Sequence, residues 1–234
     1  MKLDLKLVAR IAGRLRAEVA AARPLVQNIT NYVSMDIAAN ALLAVGASPA
    51  MIHAPEEIPQ FTPMVDALVI NVGTLSRNMA ESMELAATTA HVHGTPWLLD
   101  PVAAGLLTFR DDVIQRLIRH RPAIIRGNAS EIMAVARAAG LTKDAAAPRG
   151  VDSAHSAGDA AALAQKLARH LFCTVVATGD IDVVTDGDHV LRVANGSPIM
   201  PSVTALGCSM SSVMGAYLAV APTPYDAAIG ATAL

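Results

Sequence analysis

The segment Ala67-Leu-Val-Ile-Asn-Val-Gly-Thr74 decides the architecture. Its first five residues form a continuous apolar run closed by Asn71, with no alternation of inside and outside. That is the pattern of a strand buried on both faces of a parallel sheet. Polar and glycine residues end it, and from Arg77 to His93 apolar side chains recur at the three- and four-residue spacing of a helix. The cycle then repeats. Trp97-Leu-Leu99, Ala123-Ile-Ile125 and Thr174-Val-Val-Ala177 are further short apolar runs, while Asp111 to His120, Ser130 to Ala139 and Ala157 to Leu171 carry the helical spacing. Such βαβα repetition predicts a three-layer α/β/α fold, a mostly parallel central sheet covered by helices on both faces with right-handed crossovers. Ile181-Asp-Val-Val-Thr185 and His189-Val-Leu-Arg-Val193 flank the turn signal Asp186-Gly-Asp188 and read as an antiparallel hairpin at one edge.

Composition bounds the rest. Over 234 residues, 53% are hydrophobic, 16% charged and 3% aromatic, which supplies a sizeable core and excludes a disordered chain. Eighteen Lys and Arg stand against 20 Asp and Glu, so there is no basic surplus to coat a phosphate backbone, and nucleic acid is not expected as a partner. No apolar run reaches the ~18–20 residues of a membrane helix, and charges spread through Met1 to Arg16 do not suit a signal peptide; no membrane partner and a cytoplasmic location are expected. No repeat or linker divides the chain, so residues 1–234 read as a single domain, with Lys143 to Asp159 as its mobile loop. The last stretch, Asp226 to Leu234, is apolar and helical in pattern with no closing Gly or Pro, so a partner or a further helix is expected to cover it.

In open α/β sheets ligands collect at the carboxyl ends of the strands. The residues found there are Asn71, Gly73 and Thr74; Asp100-Pro-Val102; Arg126-Gly-Asn128 with Ser130-Glu131; and Thr178-Gly-Asp180. A carboxylate, a guanidinium, a second carboxylate and a Gly-flanked hydroxyl on one rim suit a nucleotide carried with Mg²⁺, because Mg²⁺ takes few carboxylates plus phosphate oxygens and Arg takes phosphate in bidentate fashion. Asn128 and Glu131 also stand at the offset of a helix capping box, which is a structural role. Asp100, beside a proline, caps no evident helix.

Ser202 to Tyr217 is the sharpest segment: a loop with Thr204 and Gly207 runs into a helix of small residues. The backbone amides around Gly207 to Ser209 and the helix dipole together predict an anion site, and Cys208 there is expected to have a lowered pKa, although it also reads as a small buried apolar side chain. The other cysteine, Cys173, precedes an apolar run and reads as core. Neither a GxxxxGK[ST] nor a GxGxxG loop occurs. His91 and His93, two apart, do not share a helix face and read as C-terminal cations, not as metal ligands.

Taken in order, Gln27-Asn-Ile-Thr-Asn31, Leu42 to Met51, Leu99-Asp-Pro-Val102, Ile125-Arg-Gly-Asn128 with Ser130-Glu131, Ala177-Thr-Gly179, Val184-Thr-Asp-Gly187 and Thr204-Ala-Leu-Gly-Cys208 resemble the signatures of hydroxyethylthiazole kinases from about residue 25 to the end. The resemblance implies a ribokinase-like fold and transfer of the ATP γ-phosphate to the hydroxyl of 4-methyl-5-(2-hydroxyethyl)thiazole, in thiamine salvage, by an Mg²⁺-dependent homotrimer with sites between subunits. Carried over by residue, it implies that Met51 and Gly207 contact the thiazole with Asn28 nearby, that Arg126 and Thr178 bind ATP, and that Asp100 and Glu131 serve the Mg²⁺ and phosphate region. Cys208 would lie next to the substrate hydroxyl, where sugar-kinase relatives place an aspartate. Two departures stand out. Ala205-Leu206 replaces the family's frequent Gly-Thr before Gly-Cys, and family members continue for one or two helices beyond the position of Leu234. The alternatives are a ribokinase-like kinase for another small alcohol, or a protein that binds thiazole or nucleotide without turnover.

Overall fold

The structure, a computed structural model, describes residues 5–142 and 157–234. The expected loop from Lys143 therefore lies, up to residue 156, outside the described residues. In chain order the elements are α1 (Leu5–Ala22), β1 (Leu25–Ile29), α2 (Met35–Val45), β2 (Ser48–Ala50), α3 (Ile58–Phe61), β3 (Ala67–Asn71), α4 (Arg77–His93), β4 (Trp97–Asp100), α5 (Thr108–Leu117), β5 (Ile124–Asn128), α6 (Ala129–Ala138), α7 (Ala157–Leu171), β6 (Thr174–Thr178), β7 (Asp182–Thr185), β8 (Val190–Val193), α8 (Leu206–Val220) and α9 (Pro224–Thr232).

The strands form one eight-stranded sheet in the order β2-β1-β3-β4-β5-β6-β7-β8. All pairs from β2 through β6 are parallel, and β7 and β8 add the antiparallel hairpin at the far edge. Strand β3 shows why its sequence did not alternate. Leu68 and Ile70 join the core beneath α4 to α7, Val69 joins the core beneath α1, α2, α8 and α9, and all five of its residues are buried.

Strands β1 and β2 carry little of that signal. Gln27 and Asn28 interrupt the apolar run of β1 yet are fully buried, and β2 is only Ser-Pro-Ala. Pro49 is tolerated because β2 is an edge strand with one neighbour. Helix α8 lies directly against the sheet: a methyl group added at Gly215 would overlap the Val69 side chain and crowd Val26 at 3.3 Å. The apolar face of α9 is covered from within. Ala227, Ala228, Ile229 and Ala231 are buried, and Gly230 sits against Leu15 of α1 and Tyr217 of α8.

Candidate active site

Parallel pairing aligns the strand ends on one rim. Asn71 of β3 lies opposite Asp100 of β4, and Asn128 of β5 opposite Thr178 of β6. Helix α8 brings its first turns to the same rim. Asp100 is 3% exposed, and its Oδ2 accepts hydrogen bonds from Asn71 Nδ2 and Ser211 Oγ, both at 2.7 Å. Burial raises its pKa from 3.8 to about 7, against the opposing pull of the Arg126 guanidinium. Arg126 Nη1 donates to the Gly207 carbonyl at 2.9 Å and to Ser211 Oγ at 3.3 Å. Asn31 Nδ2 donates to Asn71 Oδ1 at 3.0 Å and to Cys208 Sγ at 3.3 Å. Cys208, Asn31, Asn71, Asp100, Ser211 and Arg126 thus form one connected polar chain across the rim.

The start of α8 is anion-binding in form. Its N-cap, Ala205, has no side chain to offer, and the first backbone bond of the turn runs from Ser209 N to Ala205 O at 2.9 Å. The amides left without a helical carbonyl are therefore those of Leu206, Gly207 and Cys208, one residue earlier than the sequence spacing predicts. Gly207 is exposed, and the nearest atom to a methyl added there would be Arg126 Nη1 at 3.7 Å, so ligand atoms have room to approach this backbone. The expectation of a lowered Cys208 pKa is corrected. Burial and the nearby Asp100 carboxylate push the thiol up, outweighing the Asn31 and Asn71 hydrogen bonds that favour the thiolate.

Glu131 is held differently. Its Oε2 accepts from Asn128 N at 2.8 Å and its Oε1 from Ala103 N at 2.9 Å, while Asn128 Oδ1 accepts from Glu131 N at 2.9 Å. The capping box is real, and both carboxylate oxygens are engaged by backbone amides. Gly127 and Gly73 make room for protein and not for ligand: an added methyl would meet Glu131 Oε2 at 2.9 Å at the first and Asn31 Cβ at 2.8 Å at the second. Among the described residues no group of three or more His, Cys, Asp or Glu is arranged to hold a metal. Mg²⁺ carried on phosphates needs fewer. Asp100 fits as its carboxylate partner, since an adjacent cation favours the ionised form that burial disfavours, whereas Glu131 fits a part in holding the loop that follows β4.

Other sequence candidates lie farther apart. Asn28 is fully buried, its Nδ2 donating to Val26 O at 3.1 Å and its Oδ1 without a hydrogen-bond partner. Met51 directly follows β2, three strands from β4, and Gln27 Nε2 anchors its neighbour by donating to Ile52 O at 3.0 Å. Thr178 ends β6, and the adjacent Gly179 N donates to Asp182 Oδ1 at 2.9 Å. Cys173 is buried with its thiol pushed up to about 12, as a core side chain should be.

Several rim residues escaped the sequence reading. Asn31 follows a strand that did not read as one, and Ser211 looked like any small helical residue. Arg110 of α5 donates through Nη1 to Val72 O at 2.7 Å and Val102 O at 2.5 Å, tying the loops after β3 and β4 together. Asp182 is half-buried within electrostatic reach of Arg126. Backbone strain gathers here as well: Thr74, Ala103 and Ala205 have φ of +40°, +58° and +60°, a region unfavourable to residues with a Cβ.

Comparison with known proteins gives a consistent pattern. The sequence profile of the Hydroxyethylthiazole kinase family matches residues 17–234. A hydroxyethylthiazole kinase of Roseobacter denitrificans is 50% identical over 210 residues, covering 90% of this chain and 79% of the relative. The solved structure of a hydroxyethylthiazole kinase from Pyrococcus horikoshii superposes with a TM-score of 0.86 at 37% identity, over 95% of this chain and 81% of that one. An ADP complex of Bacillus subtilis pyridoxal kinase shares the fold, with a TM-score of 0.64 at 16% identity over 89% of this chain and 88% of that one.

Proposed function

The chain belongs to the hydroxyethylthiazole kinase family, and from that premise we propose how its residues transfer the ATP γ-phosphate to the hydroxyl of 4-methyl-5-(2-hydroxyethyl)thiazole, the salvage step for thiamine. The observation that carries this reading is the meeting of Arg126, buried Asp100 and the open Gly207 backbone at the first turn of α8. Phosphoryl transfer asks mainly for positioning and neutralisation of charge. Arg126 lies against the triphosphate side of that turn, and the Leu206, Gly207 and Cys208 amides steady the oxygens of the transferring group. Thr178 and the Gly179 backbone, set by Asp182, complete the nucleotide side.

Mg²⁺ bound with the nucleotide would neutralise the phosphate oxygens, with Asp100 as the residue that holds it and Glu131 positioning the loop alongside. Cys208 faces the acceptor hydroxyl as a hydrogen-bonding partner. Its thiol is pushed up by burial, and a thiolate is in any case a weak base toward an alcohol, so the hydroxyl proton leaves late. Gly207, Met51 and Asn28 belong to the thiazole side of this proposal. Met51 follows β2, which pairs with β1, and Asn31 just after β1 touches Cys208, so the thiazole side lies toward that edge of the sheet, where a homotrimer would complete the site between subunits. A cytoplasmic location belongs to the same proposal.

The test is ADP formation from Mg-ATP with and without the thiazole alcohol, on protein first shown to melt cooperatively. Thiazole-dependent ADP is expected, and chelation with excess EDTA is expected to abolish it. Another small alcohol supporting ADP where the thiazole does not, or tight thiazole binding with no ADP from any acceptor, would replace this reading with the corresponding alternative.

A further inference from the structure

We infer that Asn31 is a positioning residue that aims the Cys208 thiol at the acceptor, and this rests on the kinase reading above. Asn31 is 5% exposed, and its amide has only one orientation that its surroundings allow. Its Oδ1 accepts from Ser34 N at 3.0 Å, which forces Nδ2 to the opposite side. There Nδ2 donates to Cys208 Sγ at 3.3 Å and to Asn71 Oδ1 at 3.0 Å. Asn71 is fixed in the same way: its Oδ1 also accepts from Gly73 N at 3.0 Å, so its Nδ2 must face Asp100, where it donates at 2.7 Å. Two backbone N–H groups thereby set the direction of two amides, and the amides span the distance from Cys208 to Asp100.

The consequence for the thiol is directional. Because sulfur receives the Asn31 N–H, the thiol's own proton is left to be donated elsewhere, and the rotamer of the side chain is fixed by that contact. Space for this arrangement is specific to Gly73, where a methyl group would meet Asn31 Cβ at 2.8 Å and Nδ2 at 3.0 Å. From the same loop Tyr32 N donates to Thr74 Oγ1 at 3.1 Å, so Asn31 is the loop's side-chain link to the thiol and Tyr32 its backbone link to the rim.

Asn31→Asp separates the two halves of this role, since the carboxylate still accepts from Ser34 N but has no N–H for Cys208 or Asn71. The expected result is a lowered melting temperature, since a buried carboxylate then faces Asn71 Oδ1, and in the folded variant a kcat lowered roughly 10- to 100-fold, with KM for the thiazole alcohol within about threefold. Iodoacetamide gives a readout that needs no turnover. Buried Cys173 is silent, so the alkylation rate at pH 8 reports Cys208 alone and is expected to fall at least about threefold in Asn31→Asp, where a negative charge disfavours the thiolate. Should that variant fold poorly, Asn31→Ser, whose hydroxyl also accepts from Ser34 N, is read by the same two measurements. An alkylation rate equal to wild type in the folded variant overturns the inference, as does an unchanged kcat. If the wild-type protein forms no thiazole-dependent ADP, the kinase reading fails, and the alkylation rates still decide whether Asn31 sets Cys208.

Discussion

Asp100 concentrates the electrostatics of the site. A carboxyl raised from 3.8 to about 7 binds its proton more tightly in the folded protein than in the unfolded chain. Its contribution to stability is therefore full below about pH 4 and is lost as pH rises to about 7, at roughly 1.4 kcal/mol per pH unit. Asp100→Asn keeps an oxygen for Asn71 and Ser211 but never ionises. In metal-free buffer, urea denaturation is expected to show the variant gaining on wild type between pH 5 and pH 8, by a few kcal/mol, while its kinase activity collapses; parallel pH profiles would contradict the burial argument. Cys208→Asp tests the neighbouring position. The thiol, pushed up by burial, is held protonated, whereas a carboxylate supplies a base form that can accept the hydroxyl proton, and turnover is expected to equal or exceed that of wild type. A hundredfold loss would show that sulfur itself is required. At this scale Asp100, Arg126, Gly207 and Cys208 were legible because each directly follows an apolar run or opens a helix. The hydrogen bonds of Asn31 were not, since they join residues 40 and 177 positions apart in sequence, and only the placement of β1 beside β3 brings them together.

Helix α8 is the element on which the site hangs. Its Ser and Gly content reflects close contact with the sheet, Gly215 against Val69 in the middle and Ser211 on Asp100 at the rim. Gly215→Ala gains about 1 kcal/mol in helix propensity but must push against the stiff Val69 side chain, and overpacking of this kind costs ~1–3 kcal/mol. A net loss in the urea midpoint is expected, recovered in the double variant with Val69→Ala; equal midpoints for Gly215→Ala and wild type would mean that α8 slides freely on the sheet. The sequence pattern marked α4 with the bounds observed, because its ends carry strong signals, Ser76 accepting from Met79 N at the start and Gly94 in the left-handed region after His93. Strand β5 runs on through Arg126, Gly127 and Asn128, paired with Val176, Ala177 and Thr178. Backbone pairing does not depend on side-chain polarity, so no hydropathy pattern could show that extension. For the same reason Gln27 and Asn28 concealed β1.

At the scale of the molecule, the sheet has a working rim and a structural one. The positive-φ residues Arg23, Arg121 and Phe172 precede β1, β5 and β6 at its amino end, where they only turn helices into strands, whereas Thr74, Ala103 and Ala205 crowd the rim that holds the network. Leu106 and Leu107 between β4 and α5, and Phe109 in the first turn of α5, are exposed, 67%, 61% and 44% accessible. The proposed trimer would cover them, and sedimentation is then expected to give three times the chain's own mass, with specific activity falling on dilution as the sites come apart; full activity in a monomer would remove the subunit interface from the proposal. Parallel order and the edge hairpin were legible from apolar runs and the Asp-Gly-Asp turn, while a trimer was expected only from the family resemblance, because exposed apolar residues carry no periodicity. One further consequence belongs to the gene. Alanine and glycine codons differ by a single second-position base, so relief of the backbone strain at Ala205 lies one point mutation away. Selection of random variants for survival of heat is expected to recover Ala205→Gly early, with a gain of about 1 kcal/mol, or roughly 2–4 °C in a chain of this size.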